Sequence, residues 1–426
     1  MKILILCNII LPEIAKELGT GASATGGWII GITEGLLKTE NNELCVVFPQ
    51  TVRPEWCEGN TGRYAYCGFP EDFSSPLQLR EGRTDKFAEI LRREEPDIVH
   101  IFGTEWLYSY EMMQACIREG YRDRTVVSIQ GLVSEIAGDC FKADLPDAVC
   151  RAQSFRDFIK HDSILAQQEE YRQRGVYEQK TLAGAKHVIG RTDWDKAAAK
   201  RINPDVQYHY CQETLRPEFY GKAWCYKDCE KHSLFVSQGY YPLKGFHKML
   251  EAMPLILKEY PDAVLYVTGS DPLAAGFKAS LHQTYYQKYI GRMIRRYGLR
   301  EHVRFLGTLN AEQMAERDRL THVFVCPSSI ENSSNSVGEA LLVGTPVCAA
   351  DVGGMRSIMS HEKEGLLYPF ADVKALAESV KRIFTMGEDA DALSAREKAR
   401  AAVQYDPAEN TEDLVKIYRE MAGENI

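Results

Sequence analysis

The sequence predicts an α/β protein built as two doubly wound parallel-sheet domains of Rossmann-like type. Three observations predict it. At 426 residues the chain is too long for one ordinary core and suits two domains of typical size. Short apolar runs alternate with helical segments, the pattern of parallel α/β sheets. These runs also fall into two series, separated by Pro217 and a polar, charged stretch from Phe219 to Glu230. The expected division is residues 1–220, residues 221–402 and a terminal helix over 403–426, with a cleft between the carboxyl ends of the two sets of strands, where open α/β sheets bind ligands.

The first series comprises KILILCNI from Lys2, LCVVFPQ from Leu44, DIVHIFG from Asp97, TVVSIQG from Thr125 and HVIGRT from His187. Most are continuous apolar runs, as strands buried on both faces should be. The second series is SLFVSQG from Ser233, AVLYVTG from Ala263, VRFLG from Val303, HVFVCP from His322 and PVCAAD from Pro346. Glycines follow the first strand in GTGASATGGW, but the fingerprint-like Gly19 to Ala24 lies more than about ten residues past the strand. A dinucleotide motif needs an immediate strand-to-helix turn, so no nicotinamide site is expected.

Composition narrows the function classes. With 45% hydrophobic and 26% charged residues the chain can bury two cores. A formal charge of -9 argues against nucleic acid as a partner, because phosphate backbones need a basic surface. No run of eighteen or more apolar residues occurs, and MKILILCNII reads as a strand rather than a leader. The 12 cysteines are scattered without a CxxC pair, which points to free thiols in a reducing cytosol and to no metal site.

The most informative stretch is His322 to Gly354. HVFVCP ends at Pro327, a polar loop follows, and a helix is expected from near Ser336 to Gly344, with Pro346 beyond it. First-turn amides have no partner within the helix and carry partial positive charge, so this is an anion site suited to a diphosphate. Glu339, beside those amides, suits a ribose diol, and Glu331 on the loop suits a sugar ring beyond the phosphates. Each glutamate also has a plain reading. Ser336 and Glu339 fit a capping box, and Glu331 fits a solvated loop carboxylate.

The flanking motifs resemble glycosyltransferase family 4. They are Glu331 and Glu339 as Glu-x7-Glu, Gly344-Thr345-Pro346, the strand Val347-Cys348-Ala349, Gly353-Gly354, Gly365-Leu366-Leu367-Tyr368-Pro369, and upstream a strand whose loop ends in Lys244-Gly245. The resemblance is dense from about residue 234 to 384 and weak in the N-terminal half. It implies the GT-B fold, a nucleotide-sugar donor, retention of anomeric configuration and no metal cofactor. It further implies that the segment Thr411 to Gly423 returns to the N-terminal domain. Glu331 and Lys244 take the catalytic roles, Lys244 stabilising charge on the leaving diphosphate. Glu339, Asn332, Ser333, Ser334, Gln238, Gly26 and Gly27 take donor-binding roles, with Gln130 and Glu105 as sugar or acceptor contacts.

The chain also departs from the family. Gln238 stands where an arginine is common and Gln130 where a histidine is common, and a glutamine hydrogen-bonds but carries no charge. Asn332-Ser333-Ser334 replaces Gly-Phe-Gly, and Ser357 replaces a frequent glutamate. Segment 132–186 mixes Arg151, Arg156, Lys160, Arg172 and Arg174 with aromatics, which fits either peripheral membrane contact through the N-terminal domain or an ordinary solvated face. His100, inside its strand, reads as a packed core residue. The expectation is a cytoplasmic enzyme, at the inner face of the membrane, that moves a sugar from a uridine-linked donor to a saccharide or lipid-linked saccharide in surface-polysaccharide assembly. The rivals are a sugar-nucleotide epimerase, a glycoside hydrolase and a nucleotide-sugar-binding protein with a decayed site.

Overall fold

The computed structural model describes residues 1–21, 26–39, 41–273, 276 and 280–423. Ala22 to Ala24, part of the glycine-rich stretch after the first strand, lie outside the described residues.

Two compact units emerge. The first comprises Met1–Glu135, Glu170–Leu215 and Tyr405–Ile426, and the second Ile136–Glu169 and Arg216–Gln404. The first holds an eight-stranded sheet in the order β3-β4-β2-β1-β5-β6-β7-β8. Its strands are β1 (Lys2–Leu6), β2 (Glu43–Gln50), β3 (Cys57–Asn60), β4 (Ala65–Pro70), β5 (Ile98–Phe102), β6 (Thr125–Ser128), β7 (His187–Gly190) and β8 (Gln207–Tyr210). All neighbours run parallel except β3 and β4, which form a hairpin. The second unit holds a parallel sheet in the order β11-β10-β9-β12-β13-β14. Its strands are β9 (Glu230–Val236), β10 (Val264–Val267), β11 (Val303–Phe305), β12 (Thr321–Cys326), β13 (Val347–Ala350) and β14 (Leu366–Tyr368).

Ile3, Ile5, Val46, Ile98 and Val126 lie in the core on one face of the first sheet, and Leu4, Leu6, Val47, Val99 and Val127 on the other. Burial on both faces explains why these strands read as unbroken apolar runs. β3, β4 and β8 escaped the sequence reading for the opposite reason. β3 (CEGN) and β8 (QYHY) are edge strands with exposed polar positions, and β4 carries Gly68 and ends at Pro70.

His100 is buried between Tyr418 OH and Ser128 Oγ, each 2.6 Å from a ring nitrogen. Burial lowers its pKa to about 3, so the ring is neutral and structural. Tyr418 belongs to the last helix, Pro407–Ala422, which packs in the first unit against the helix Gly27–Lys38.

The division of the chain differs from the sequence expectation in one respect. Residues 136–169, assigned from sequence to the N-terminal domain, belong to the second unit. Polar contacts fix them there. His247 Nε2 donates to Ala143 O at 2.8 Å, Ser329 Oγ to Cys140 O at 2.8 Å, and Tyr285 N to the Asp157 carboxylate at 2.7 Å. None of these leaves an apolar period in the sequence.

In each sheet the strand order reverses once, at β1 and β5 in the first and at β9 and β12 in the second. Such switch points are where loops diverge to either side and leave a crevice for ligands. Among the described residues no helix is long and apolar enough to cross a membrane.

Candidate active site

The loops leaving β9 and β12 are laced together. After β9 the chain makes a tight turn over Pro242–Lys244 and enters the helix Phe246–Leu257 through Gly245, which is left-handed at φ 64°. A Cβ on Gly245 would lie 1.7 Å from Pro327 O, so only glycine lets the two backbones come this close. Ser329 N donates to Leu243 O at 2.8 Å. This lacing brings Lys244 and Glu331, 87 residues apart, to a part-buried ion pair, Nζ to Oε1 at 2.6 Å. Burial alone would lower the lysine pKa, but the Glu331 carboxylate, together with Tyr241 and Cys326, outweighs it, and the pKa is raised. The ammonium stays charged throughout the neutral range.

A third loop holds Glu331 from behind. Gly354 N donates to Glu331 O at 2.9 Å. Gly353, at φ 52°, sits so close that a Cβ would be 2.0 Å from the same carbonyl oxygen. The Gly-Gly motif after β13 is thus a seat for the Glu331 backbone.

The helix expected near Ser336 spans Asn335–Val343, with Ser334 at its N-cap and Gly344, left-handed, at its end. Ser334 makes no side-chain capping bond, and the first helical bond is Gly338 N to Ser334 O at 3.0 Å. Glu339 is therefore one turn inside the helix, not in the first turn, and the Ser336–Glu339 capping box does not form. Its carboxylate instead takes a fork from Arg216, Nε to Oε1 at 2.6 Å and Nη2 to Oε2 at 2.8 Å. Burial raises the Glu339 pKa and Arg216 opposes the rise. Asp318, also buried, lies close enough that its own pKa is pushed well up, first by burial and then by the Glu339 charge. Asn332, Ser333 and Ser334 are buried in the loop between Glu331 and the helix, and Ser334 Oγ lies 3.3 Å from Ser336 Oγ. Gln238, leaving β9, has a buried Oε1 with no hydrogen-bond partner among the described residues.

In the first unit Gly26 and Gly27 open the helix Gly27–Lys38, the second helix after β1, with Gly26 as a left-handed N-cap. Gln130, after β6, is locked into a polar triad. Its Nε2 donates to Glu213 Oε1 at 2.6 Å, and Arg191 donates to Glu213 Oε2 and, at 3.4 Å, to Gln130 Oε1. Glu105, after β5, accepts Gly131 N at 3.1 Å through Oε1, while its buried Oε2 has no hydrogen-bond partner among the described residues. Burial raises its pKa.

Lys244, Glu331, Asn332 to Ser334, Glu339 and Gln238 thus all lie on the loops and helix that follow β9 and β12 in the second unit. Gly26, Gly27, Gln130 and Glu105 follow β1, β6 and β5 in the first. Sequence reasoning missed Arg216 and the Arg191–Glu213 pair. Arg216 lies 123 positions from Glu339, and nothing local to TLRPE marks it.

Residues 227–400 match the family model described as "Glycosyl transferases group 1". This stretch is similar to group 1 glycosyltransferase domains. It contains Lys244, Glu331 and Glu339 together with the glycine seats that position them. An uncharacterized glycosyltransferase of Methanocaldococcus jannaschii, MJ1607, is 29% identical over 201 residues, 46% of this chain and 47% of that protein. The chain thus spans about half the length of the curated relatives it matches. The fold likeness extends beyond the matched stretch. Sucrose-phosphate synthase from Thermosynechococcus elongatus superimposes with a TM-score of 0.69 over 99% of both chains at 17% identity. Anabaena HepE in complex with UDP gives 0.67 over 99% of this chain and 100% of that one at 14% identity. The fold is GT-B: two α/β units, each built on a largely parallel sheet.

The seat beneath Glu331 makes a specific prediction. Gly353→Ala combines a left-handed alanine, costing about 1–2 kcal/mol, with a backbone clash at the carbonyl of Glu331. Thermal denaturation should show a melting temperature lower by at least about 2 °C. An unshifted midpoint would mean that the loop has room the geometry denies it.

Proposed function

We propose that this protein is a retaining glycosyltransferase of family 4 type, moving a sugar from a UDP-linked donor to a saccharide or lipid-linked saccharide acceptor. The observation that carries the reading is the Lys244–Glu331 pair at the β9/β12 switch point, next to the N-terminus of the Asn335–Val343 helix. The group 1 match supports the same reaction class, and the UDP in the HepE structure supports the choice of nucleotide.

Transfer breaks the bond between the anomeric carbon and a diphosphate oxygen, so negative charge grows on the leaving group and positive charge on the sugar ring. A raised lysine pKa keeps a full cation available for the first. Helix amides, fixed before the donor arrives, add partial charges without reorganisation. When a diphosphate takes over the ammonium, Glu331 is released to accept hydrogen bonds from sugar hydroxyls and to face the positive ring. The acceptor hydroxyl attacks from the leaving-group side and its proton passes to the departing phosphate, so no covalent nucleophile is needed. Glu339 serves the ribose diol. Arg216 occupies one site on each of its oxygens, and a carboxylate offers about four, so two remain.

No metal enters this scheme, and turnover should be undiminished after EDTA treatment; activity abolished by chelation and restored by a divalent cation would place the diphosphate charge elsewhere. The setting we propose is bacterial surface-polysaccharide assembly, in the cytoplasm at the inner face of the membrane. A binding protein without turnover is the second reading, favoured by two neutral amides: Gln238, which brings no charge, and Gln130, whose amide is held by Glu213 and Arg191.

Incubation with a panel of nucleotide sugars, with and without saccharide acceptors, separates the readings. Release of nucleoside diphosphate marks transfer, isomerised donor marks an epimerase, and tight binding without turnover marks the second reading. Lys244→Ala should lower the rate at least about ten-fold and Glu331→Ala should lower turnover more than donor affinity, as expected for charge stabilised in the transition state. Glu339→Gln should weaken UDP binding in calorimetry while leaving the fold intact; unchanged affinity would remove Glu339 from the ribose.

A further inference from the structure

A six-residue helix in the second unit, Phe155–Lys160, is built inside out. Its polar side is held inward by a reciprocal capping box, in which Ser154 Oγ accepts from Asp157 N at 3.1 Å and Asp157 Oδ2 accepts from Ser154 N at 3.0 Å. The same carboxylate oxygen accepts Tyr285 N at 2.7 Å. Asp157 is 3% exposed, whereas Phe155, Phe158 and Ile159 are 61, 66 and 54% exposed. Spacings of three and four residues share one helix face, so three large apolar side chains stand together in water. This reverses the usual order, in which the apolar stripe faces the core. The anchoring bonds leave the helix no easy way to roll and bury them.

We propose that this face docks on an anionic lipid bilayer. Area and charge select the occupant. At roughly 150–250 Å² for a full aromatic side chain, three partly exposed ones offer on the order of 350 Å². A stable protein partner needs about 800 Å² a side. A bilayer needs no matching surface, since aromatic and branched side chains enter the headgroup boundary while flanking basic groups meet the lipid phosphates. Between residues 151 and 162 Asp157 points inward and Arg156 is paired with Asp162 at 2.6 Å. The exposed charges left over are Arg151 and Lys160. These two cations flank the apolar face on a chain of net charge -9, with the exposed Asp147 one helix upstream. The inference stands on this surface alone and does not require the transfer reading.

Co-sedimentation of the full chain with phosphatidylcholine vesicles, with and without phosphatidylglycerol, tests it. The protein should pellet with the anionic vesicles and much less with the neutral ones, and added salt should release part of it. The triple variant Phe155→Ser, Phe158→Ser, Ile159→Ser should lose at least about ten-fold of the bound fraction, and Arg151→Glu with Lys160→Glu should lower it too. Melting temperatures of both should match the parent, because every altered side chain is exposed. Nucleotide release in vesicle-free buffer is recorded separately, so an inactive protein leaves the lipid result standing. Equal pelleting of the triple variant and the parent, no pelleting of the parent with anionic vesicles, or a parent dimer that the triple variant dissociates would overturn the proposal.

Discussion

The constraint on which the candidate site depends is the close approach of three backbones at the carboxyl ends of β9, β12 and β13. Gly245 meets the carbonyl of Pro327, and Gly353 meets the carbonyl of Glu331. Both glycines are left-handed, and both lie where a methyl group would overlap a backbone oxygen. A parallel sheet fixes where its strands end but leaves the loops free, and loops carry most of the conformational entropy of such a site. Hydrogen bonds from Ser329 N and Gly354 N remove that freedom. Lys244 and Glu331 are therefore placed by the main chain before any ligand contributes.

Holding two opposite charges together part-buried is expensive unless each satisfies the other. Here the lysine is worth keeping charged only because the carboxylate is 2.6 Å away, and burial without Glu331 would push its pKa down. In the transfer reading, a dianionic ligand would compete for the ammonium and so expose the carboxylate. Glu339 is secured differently. A planar guanidinium gripping both oxygens fixes orientation as well as charge, and the buried Asp318 beside it adds negative charge only if ionised, which burial opposes.

Much of this was legible in the sequence where a local signal existed. Nine of the ten strand segments read from apolar runs belong to β1, β2, β5, β6, β7, β9, β10, β12 and β13, and the tenth to the short β11. The Gly-Thr-Pro turn and the Gly-Gly pair sit where backbone geometry demands them, because a left-handed residue or a close approach leaves a glycine in the sequence. Long-range polar pairing leaves no such trace. Arg216 reaches Glu339, Arg191 and Glu213 enclose Gln130, and segment 136–169 joins the second unit through three hydrogen bonds. Ser336 was the expected start of the helix because it precedes an apolar run. The chain turns helical one residue earlier, behind Ser334, which places Glu339 a full turn from the end and out of reach of a capping bond.

The two glutamines that depart from the family pattern are physically unlike one another. Gln130 has its amide group spent on Glu213 and Arg191, so replacing histidine there changes what the first unit is built from as well as what it can offer a ligand. Gln238 is the reverse, with a buried carbonyl oxygen that no described group satisfies. A buried acceptor left unpaired costs on the order of 1–3 kcal/mol. Its place on the loop leaving β9, six residues before Lys244, puts that unsatisfied oxygen on the same segment as the proposed phosphate cation. A neutral acceptor at this position adds nothing to the charge on a diphosphate, so in the transfer reading the burden of the leaving group falls on Lys244 and the helix amides. An oxygen of this kind is served by a hydroxyl or an N–H donor, which a sugar or a nucleobase carries and a diphosphate does not.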